Sequence, residues 1–284
     1  MSSRLLAVHG IWNHRPRLST AEAEAEICRV WAAGLAANPI RMSDVELRAV
    51  YYAPQLRLPV RQGSDDGLDA LSPEGRAWLA GWATELGAMP ATTPQASWSI
   101  PARALADRMA DHAGLNRLLV RPFVGAFLTE VGAYFRMRES VLDVVTTAIR
   151  EYRPDVVLAH SLGSVVAYEA LHAQPGVPVG LLVTLGSPLG LTSVVFDRLR
   201  PAPRDGHGDR PPAVRRWANI ADPGDIVAIP RPFTRRFSPD ANWDDTHIHG
   251  IDFHTVKRYL ASARTADAFT LSGHPPPPTP DPTP

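Results

Sequence analysis

The stretch Asp155–Tyr168, DVVLAHSLGSVVAY, decides how the rest of the chain is read. It opens on Val156-Val157-Leu158-Ala159, an apolar run of the kind carried by a strand buried on both faces. It closes on Val165-Val166-Ala167-Tyr168, which predicts the start of a helix. Between them stands His160-Ser161-Leu162-Gly163. A serine on a sharp strand-to-helix turn, with small residues two before and two after it, is the pattern of a nucleophile elbow. The small residues let strand and helix cross closely. The helix N-terminus behind the serine offers free N–H groups to a developing negative charge. The usual motif is G-x-S-x-G; here Ala159 replaces the first glycine and adds one methyl group. The plainer reading of the same residues is a buried strand, a turn and a helix with an incidental serine.

On either side the chain alternates strands and helices. Arg4–His9 reads as a buried strand ending in His9-Gly10-Ile11-Trp12, where the glycine permits a tight turn. Thr20–Ala37 reads as a helix, with Ser19 or Thr20 as N-cap candidates. Val45–Ala53 reads as the next strand. Strand, helix and strand in that order favour a parallel sheet. From Pro54 to Met137 strand signals give way to helices, expected near Pro73–Gly87, Ala102–Leu119 and Phe123–Phe135. Trp78, Trp82, Trp98, Phe123, Phe127, Tyr134 and Phe135 fall here; they could line an apolar acyl pocket or form the insertion's own core, and mostly core is the expectation. Glu139–Tyr152 is helical by its spacing of apolar residues. After the elbow, Val179–Leu185 and Val214–Ile220 are strands, and Thr192–Leu199 a short helix. Thr246–His249 is a candidate last strand, and Asp252–Ala263 a helix that contains His254. The proline-rich tail, residues 272–284, is expected to be disordered.

At 284 residues the chain is long enough to bury a large core. Its 29 basic and 29 acidic residues cancel, which argues against a nucleic-acid partner. Cys28 is the only cysteine, so no intrachain disulfide is expected, and a buried structural role is expected for it. No signal peptide and no apolar run of about 18 residues is seen, so the expectation is a cytoplasmic protein without an integral membrane segment. Asp244, Asp245, His247 and His249 could be read as a metal cluster, but no third anchored ligand accompanies the two histidines, and neither metal nor cofactor is expected.

Acyl transfer by a serine needs a base, an acid that orients the base, and N–H donors for the oxyanion. Asp222 and Asp225 follow the strand that ends at Ile220, and His247, His249 and His254 come later still. Loops at the carboxyl ends of parallel strands gather on one edge, so these residues can converge. His9 precedes the serine and is expected to support the turn, while Ser187 is a runner-up nucleophile whose expected role is turn formation.

With these pieces the chain resembles the α/β-hydrolase superfamily, in its lipase- and esterase-like branch. The matching residues are Val8-His9-Gly10, the elbow Ala159–Gly163, Leu185-Gly186-Ser187-Pro188, and Trp217–Val227 with its Asp225-Ile226-Val227. The resemblance spans roughly Arg4–Ala53 and Glu139–Leu260, and the segment between matches nothing named. It implies an α/β-hydrolase fold over residues 1–271: a mostly parallel sheet flanked by helices, with residues 54–137 as a helical cap insertion. It implies Ser161 as nucleophile, His254 as base and Asp225 as acid, with Asp222 the alternative acid. The oxyanion donors it implies are the Leu162 N–H and that of Ile11 or Trp12. The implied activity is hydrolysis of a carboxylic ester on a small-molecule acyl substrate. A thioesterase, an acyltransferase or a serine peptidase would use the same residues. A non-catalytic, hydrolase-like binding protein is the rival of a different class. The sequence leaves the oligomeric state open.

Overall fold

The computed structural model describes residues 3–38, 45–56, 66–90, 100–248 and 252–271. The strands are β1 (Ser3–Val8), β2 (Val45–Val50), β3 (Val156–His160), β4 (Val179–Leu185), β5 (Val214–Ile220) and β6 (Ala241–Trp243). They form one sheet in the order β2-β1-β3-β4-β5-β6, and each neighbouring pair is parallel. The helices are α1 (Thr20–Leu35), α2 (Pro73–Glu85), α3 (Ala102–Ala113), α4 (Arg117–Arg136), α5 (Arg138–Tyr152), α6 (Leu162–Ala173), α7 (Val256–Ala261) and α8 (Ala263–Thr270). This is the α/β class read from the sequence, a parallel sheet flanked by helices.

Side chains alternate across a strand, so each central strand feeds two cores. Leu6, Val8, Val157, Ala159, Leu182 and Trp217 join one, and Leu5, Ala7, Val156, Leu158, Val183 and Ala218 the other. Burial on both faces explains why β1, β3 and β4 read as continuous apolar runs. The helices expected as an insertion do not build a separate core. Trp78, Trp82, Phe123, Phe127 and Tyr134 are buried in the same cluster as Val8 and Ala159. Trp82 Nε1 also donates to Ile226 O at 2.8 Å, which ties α2 to the loop after β5.

Several expected elements shift. The stretch Ala102–Leu119 is not one helix: Gly114, at φ 66, ends α3 in the left-handed conformation, and Asn116 restarts the chain by accepting the Leu118 N–H at 2.8 Å. In place of a helix over Thr192–Leu199 there is one 3-10 turn, Phe196–Arg198. The sixth strand is Ala241–Trp243, and the described residues Thr246, His247 and Ile248 are not in a strand. Asp240 pins it, accepting the Trp217 N–H at 2.8 Å while its own N–H donates to Trp217 O at 2.7 Å. His249, Trp98 and the tail from Ser272 lie outside the described residues. Helix α4 has the length and apolarity to cross a membrane, which the sequence reading did not anticipate, but 67% of that window is buried inside the fold, as in a core helix.

The strand order sets the site. From β1 the sheet grows outward through β2 on one side and through β3 on the other. The carboxyl ends of β1 and β3 therefore flank a switch point, the place where open parallel sheets form a crevice.

Candidate active site

Ser161 stands at that switch point, between β3 and α6, at φ 54 and ψ −132. A side-chain-bearing residue held there costs about 1–3 kcal/mol, which surrounding packing must offset. The packing is backbone against backbone. A Cβ at Gly163 would lie 2.3 Å from Val8 O and 2.4 Å from His9 O, so only glycine lets α6 pass the end of β1. A Cβ at Gly10 would meet the Ser161 Cβ at 2.7 Å. The Ser161 N–H donates to Leu185 O at 3.0 Å, and Ser164 Oγ donates to Ser161 O at 2.6 Å. Ala159, by contrast, lies inside β3 opposite Val8 and Thr184, with its methyl in the core. The turn therefore demands a glycine only on its helix side.

Asp225 and His254 meet. His254 Nδ1 lies 2.7 Å from Asp225 Oδ2. The Tyr259 hydroxyl donates to the same oxygen at 2.7 Å, and the Val227 N–H donates to Asp225 Oδ1 at 2.9 Å. Burial by itself would push the Asp225 carboxyl up, but His254 and these donors outweigh it and hold the carboxyl below its ordinary range. Gly186, at φ 53, makes the room: a Cβ there would come 2.8 Å from both Asp225 Oδ2 and the Tyr259 ring. Burial and the Asp225 charge in turn push the Tyr259 phenol well up, so it stays a donor. The Asp222 side chain accepts the N–H groups of Gly224, in its own loop, at 2.6 Å and of Ile248, beyond β6.

His254 precedes α7 rather than lying in a helix from Asp252. Thr255 Oγ1 donates to Asp252 Oδ2 at 2.7 Å, and this local turn holds the chain out of helix until Val256. Phe123 packs edge-on to the imidazole at 5.0 Å, and the His160 ring lies 4.7 Å away on another side. His254 Nε2 and Ser161 Oγ are both buried with no hydrogen-bond partner among the described residues, so they are not bonded to each other here. Ser161 itself is 0% exposed.

The remaining candidates separate. The Leu162 N–H opens α6 and so lacks an intrahelical acceptor. The Trp12 N–H is taken: it donates to Glu130 Oε1 at 3.0 Å. His9 stacks on Tyr52 at 4.1 Å, and burial lowers its pKa to about 4, which leaves it neutral in the turn. Ser187 Oγ contacts Ser164 Oγ at 2.7 Å and accepts the Leu189 N–H at 3.2 Å, a turn-forming role. Asp244 Oδ2 accepts the Phe233 N–H at 2.8 Å and bonds Asn242 Nδ2 at 2.9 Å, while His247 is exposed. Among the described residues no three His, Cys, Asp or Glu side chains gather as a metal site would require. Cys28 is half-buried against Leu47 O, and burial raises its thiol pKa.

Sequence reasoning missed Tyr259, Glu130 and Asn13. Glu130 had one visible signal, the only charged residue within the run Phe123–Tyr134. No family model, no curated protein and no solved structure matches the chain.

Proposed function

We propose that the chain is a serine hydrolase of α/β-hydrolase type that cleaves a carboxylic ester through an acyl-enzyme. The observation that carries this reading is Ser161. It is a non-glycine residue held at φ 54 on a strand-to-helix turn, with a buried Oγ that has no hydrogen-bond partner among the described residues. Backbone strain of this kind clusters at functional sites. The Asp225–His254 pair, in the segments that follow β5 and β6, supports the same reading.

In this mechanism Ser161 Oγ attacks the ester carbonyl carbon while His254 Nε2 takes its proton. Asp225 accepts from the Nδ1–H, fixes the tautomer and stabilises the imidazolium that forms. The carbonyl oxygen becomes an oxyanion facing the N–H groups of Leu162 and Ile11. The Trp12 N–H is occupied by Glu130, which leaves Ile11 as the donor from the β1 turn. Loss of one such donor costs about 2.7–4 kcal/mol in the transition state. The tetrahedral adduct then collapses, and the leaving alkoxide takes the proton from His254. Water, deprotonated by His254, attacks the acyl-enzyme and releases Ser161. Hydrogen bonds between nucleophile and base often tighten only with substrate in place. Ser161 is fully buried, so the elements over it must part for the carbonyl to enter.

That burial also favours one second reading, a hydrolase-like binding protein that does no chemistry. Turnover of nitrophenyl esters with short to long acyl chains, with Ser161→Ala as control, separates the two. Hydrolysis that depends on Ser161 supports the hydrolase. Equal rates in wild type and Ser161→Ala support the binding protein.

A further inference from the structure

We propose that Glu130, on helix α4, is a positioning residue for the Ile11 N–H donor, an inference that rests on the acyl-transfer reading above. The turn after β1 consists of two successive peptide planes, and each is gripped by side chains. The first, Gly10–Ile11, carries the Ile11 N–H. Its carbonyl, Gly10 O, accepts from Asn13 Nδ2 at 3.0 Å and lies 2.8 Å from His9 Nδ1. In a trans peptide the C=O and N–H point in opposite directions, so holding the carbonyl aims the N–H.

The second plane, Ile11–Trp12, is held at both ends. Ile11 O accepts from Asn13 Nδ2 at 3.0 Å, and the Trp12 N–H donates to Glu130 Oε1 at 3.0 Å. Trp12 has φ 63, a conformation that a tryptophan keeps only when its surroundings impose it. Its ring supplies little burial, being 52% exposed. The anchor is thus the bond to Glu130, which is itself only 6% exposed. Without that bond the second plane is held only at its Ile11 O end, and the shared Ile11 Cα passes any tilt to the first.

Helix α4 has a second grip on the site. Phe123, Phe127 and Glu130 recur at steps of four and three, on one helix face. Phe123 on this face packs 5.0 Å from the His254 ring and 5.6 Å from the Trp12 ring. One rigid face therefore registers both the base and the turn that bears the oxyanion donor. The acceptor at position 130 needs an oxygen in reach and no charge, so glutamine is expected to replace glutamate.

The test compares E130A, E130Q, N13A and S161A with wild type. Two rates are measured: steady-state hydrolysis of a short-chain nitrophenyl ester, and phosphonylation by a fluorophosphonate, whose phosphoryl oxygen occupies the oxyanion position. E130A is expected to lose about tenfold or more in kcat with KM little changed, and to slow phosphonylation by a similar factor, as for a misplaced oxyanion donor. E130Q should recover most of the loss. If E130A does not fold, N13A carries the test, since it frees the same two peptides from the other side. Folded E130A or N13A with wild-type kcat and phosphonylation would overturn the inference. So would a loss confined to KM, or E130Q as impaired as E130A. Wild-type turnover that survives in S161A would instead overturn the acyl-transfer reading, and this inference with it.

Discussion

Tyr259 donates its hydroxyl to Asp225 at 2.7 Å, on the same carboxylate oxygen that His254 reaches. The phenolic oxygen also accepts the Asp222 N–H at 3.0 Å. Helix α7 thus braces the acid from below while the preceding turn brings in the base. Tyr259→Phe keeps the ring and removes both bonds. A hydrogen bond to a charged group contributes about 1.5–3 kcal/mol, and a loss of that order is expected in urea unfolding near neutral pH.

The same variant has a pH signature. The Asp225 carboxyl is depressed in the folded protein, so its contribution to stability is present above the unfolded carboxyl pKa and lost as pH falls through the folded one. Removing the Tyr259 donor raises the folded value and moves acid unfolding to higher pH. An acid midpoint unchanged in Tyr259→Phe would show that the bond does not hold the ionised carboxylate.

The elbow should be asymmetric to substitution. Ala159→Gly restores the common motif, and it should leave activity intact while costing about 0.5–1 kcal/mol of stability from a glycine within a strand. Gly163→Ala is expected to be far worse, because its Cβ would sit 2.3 Å from Val8 O, a backbone atom that cannot swing aside. Thermal unfolding of both variants checks this. A Gly163→Ala protein as stable as Ala159→Gly would contradict the close approach of α6 to β1.

His9 makes stability depend on pH in a different window. Its pKa falls from an ordinary 6.5 to about 4 in the fold. Between those values the unfolded chain binds a proton that the folded chain does not, so stability rises with pH across the window and levels below it. The loss by the lower end approaches about 3 kcal/mol, at about 1.4 kcal/mol per pH unit. Urea midpoints measured from about pH 7 to about pH 4.5 should fall steeply in wild type and less in His9→Asn. Parallel profiles would contradict the burial of a neutral His9.

What was legible in the sequence was local. The run Val156–Ala159, Ser161 and Gly163 are contiguous, and a strand buried on both faces leaves an unbroken apolar signature. Asp222 and Asp225 sit three positions apart in one loop. What separates them is tertiary: the glycine at 186, the phenol at 259 and the imidazole at 254 all face Asp225. Strand β6 was invisible because its pairing depends on Asp240 reaching Trp217, not on any alternation of its own. The Asp252–Ala263 helix began late because Thr255 bonds Asp252, a local competition that periodicity does not register. The bond between Glu130 and Trp12 spans 118 positions, and the lone acid in an apolar helix does not say which turn it reaches.

The central claim is that Ser161 is a nucleophile activated by His254. The most direct measurement is covalent labelling of the folded chain by a fluorophosphonate, with the modified peptide mapped by mass spectrometry. One label is expected, on Ser161, lost in Ser161→Ala and slowed by orders of magnitude in His254→Ala, but not in His247→Ala. Folded wild-type protein that takes no label, or a label that maps elsewhere and persists in Ser161→Ala, would contradict it.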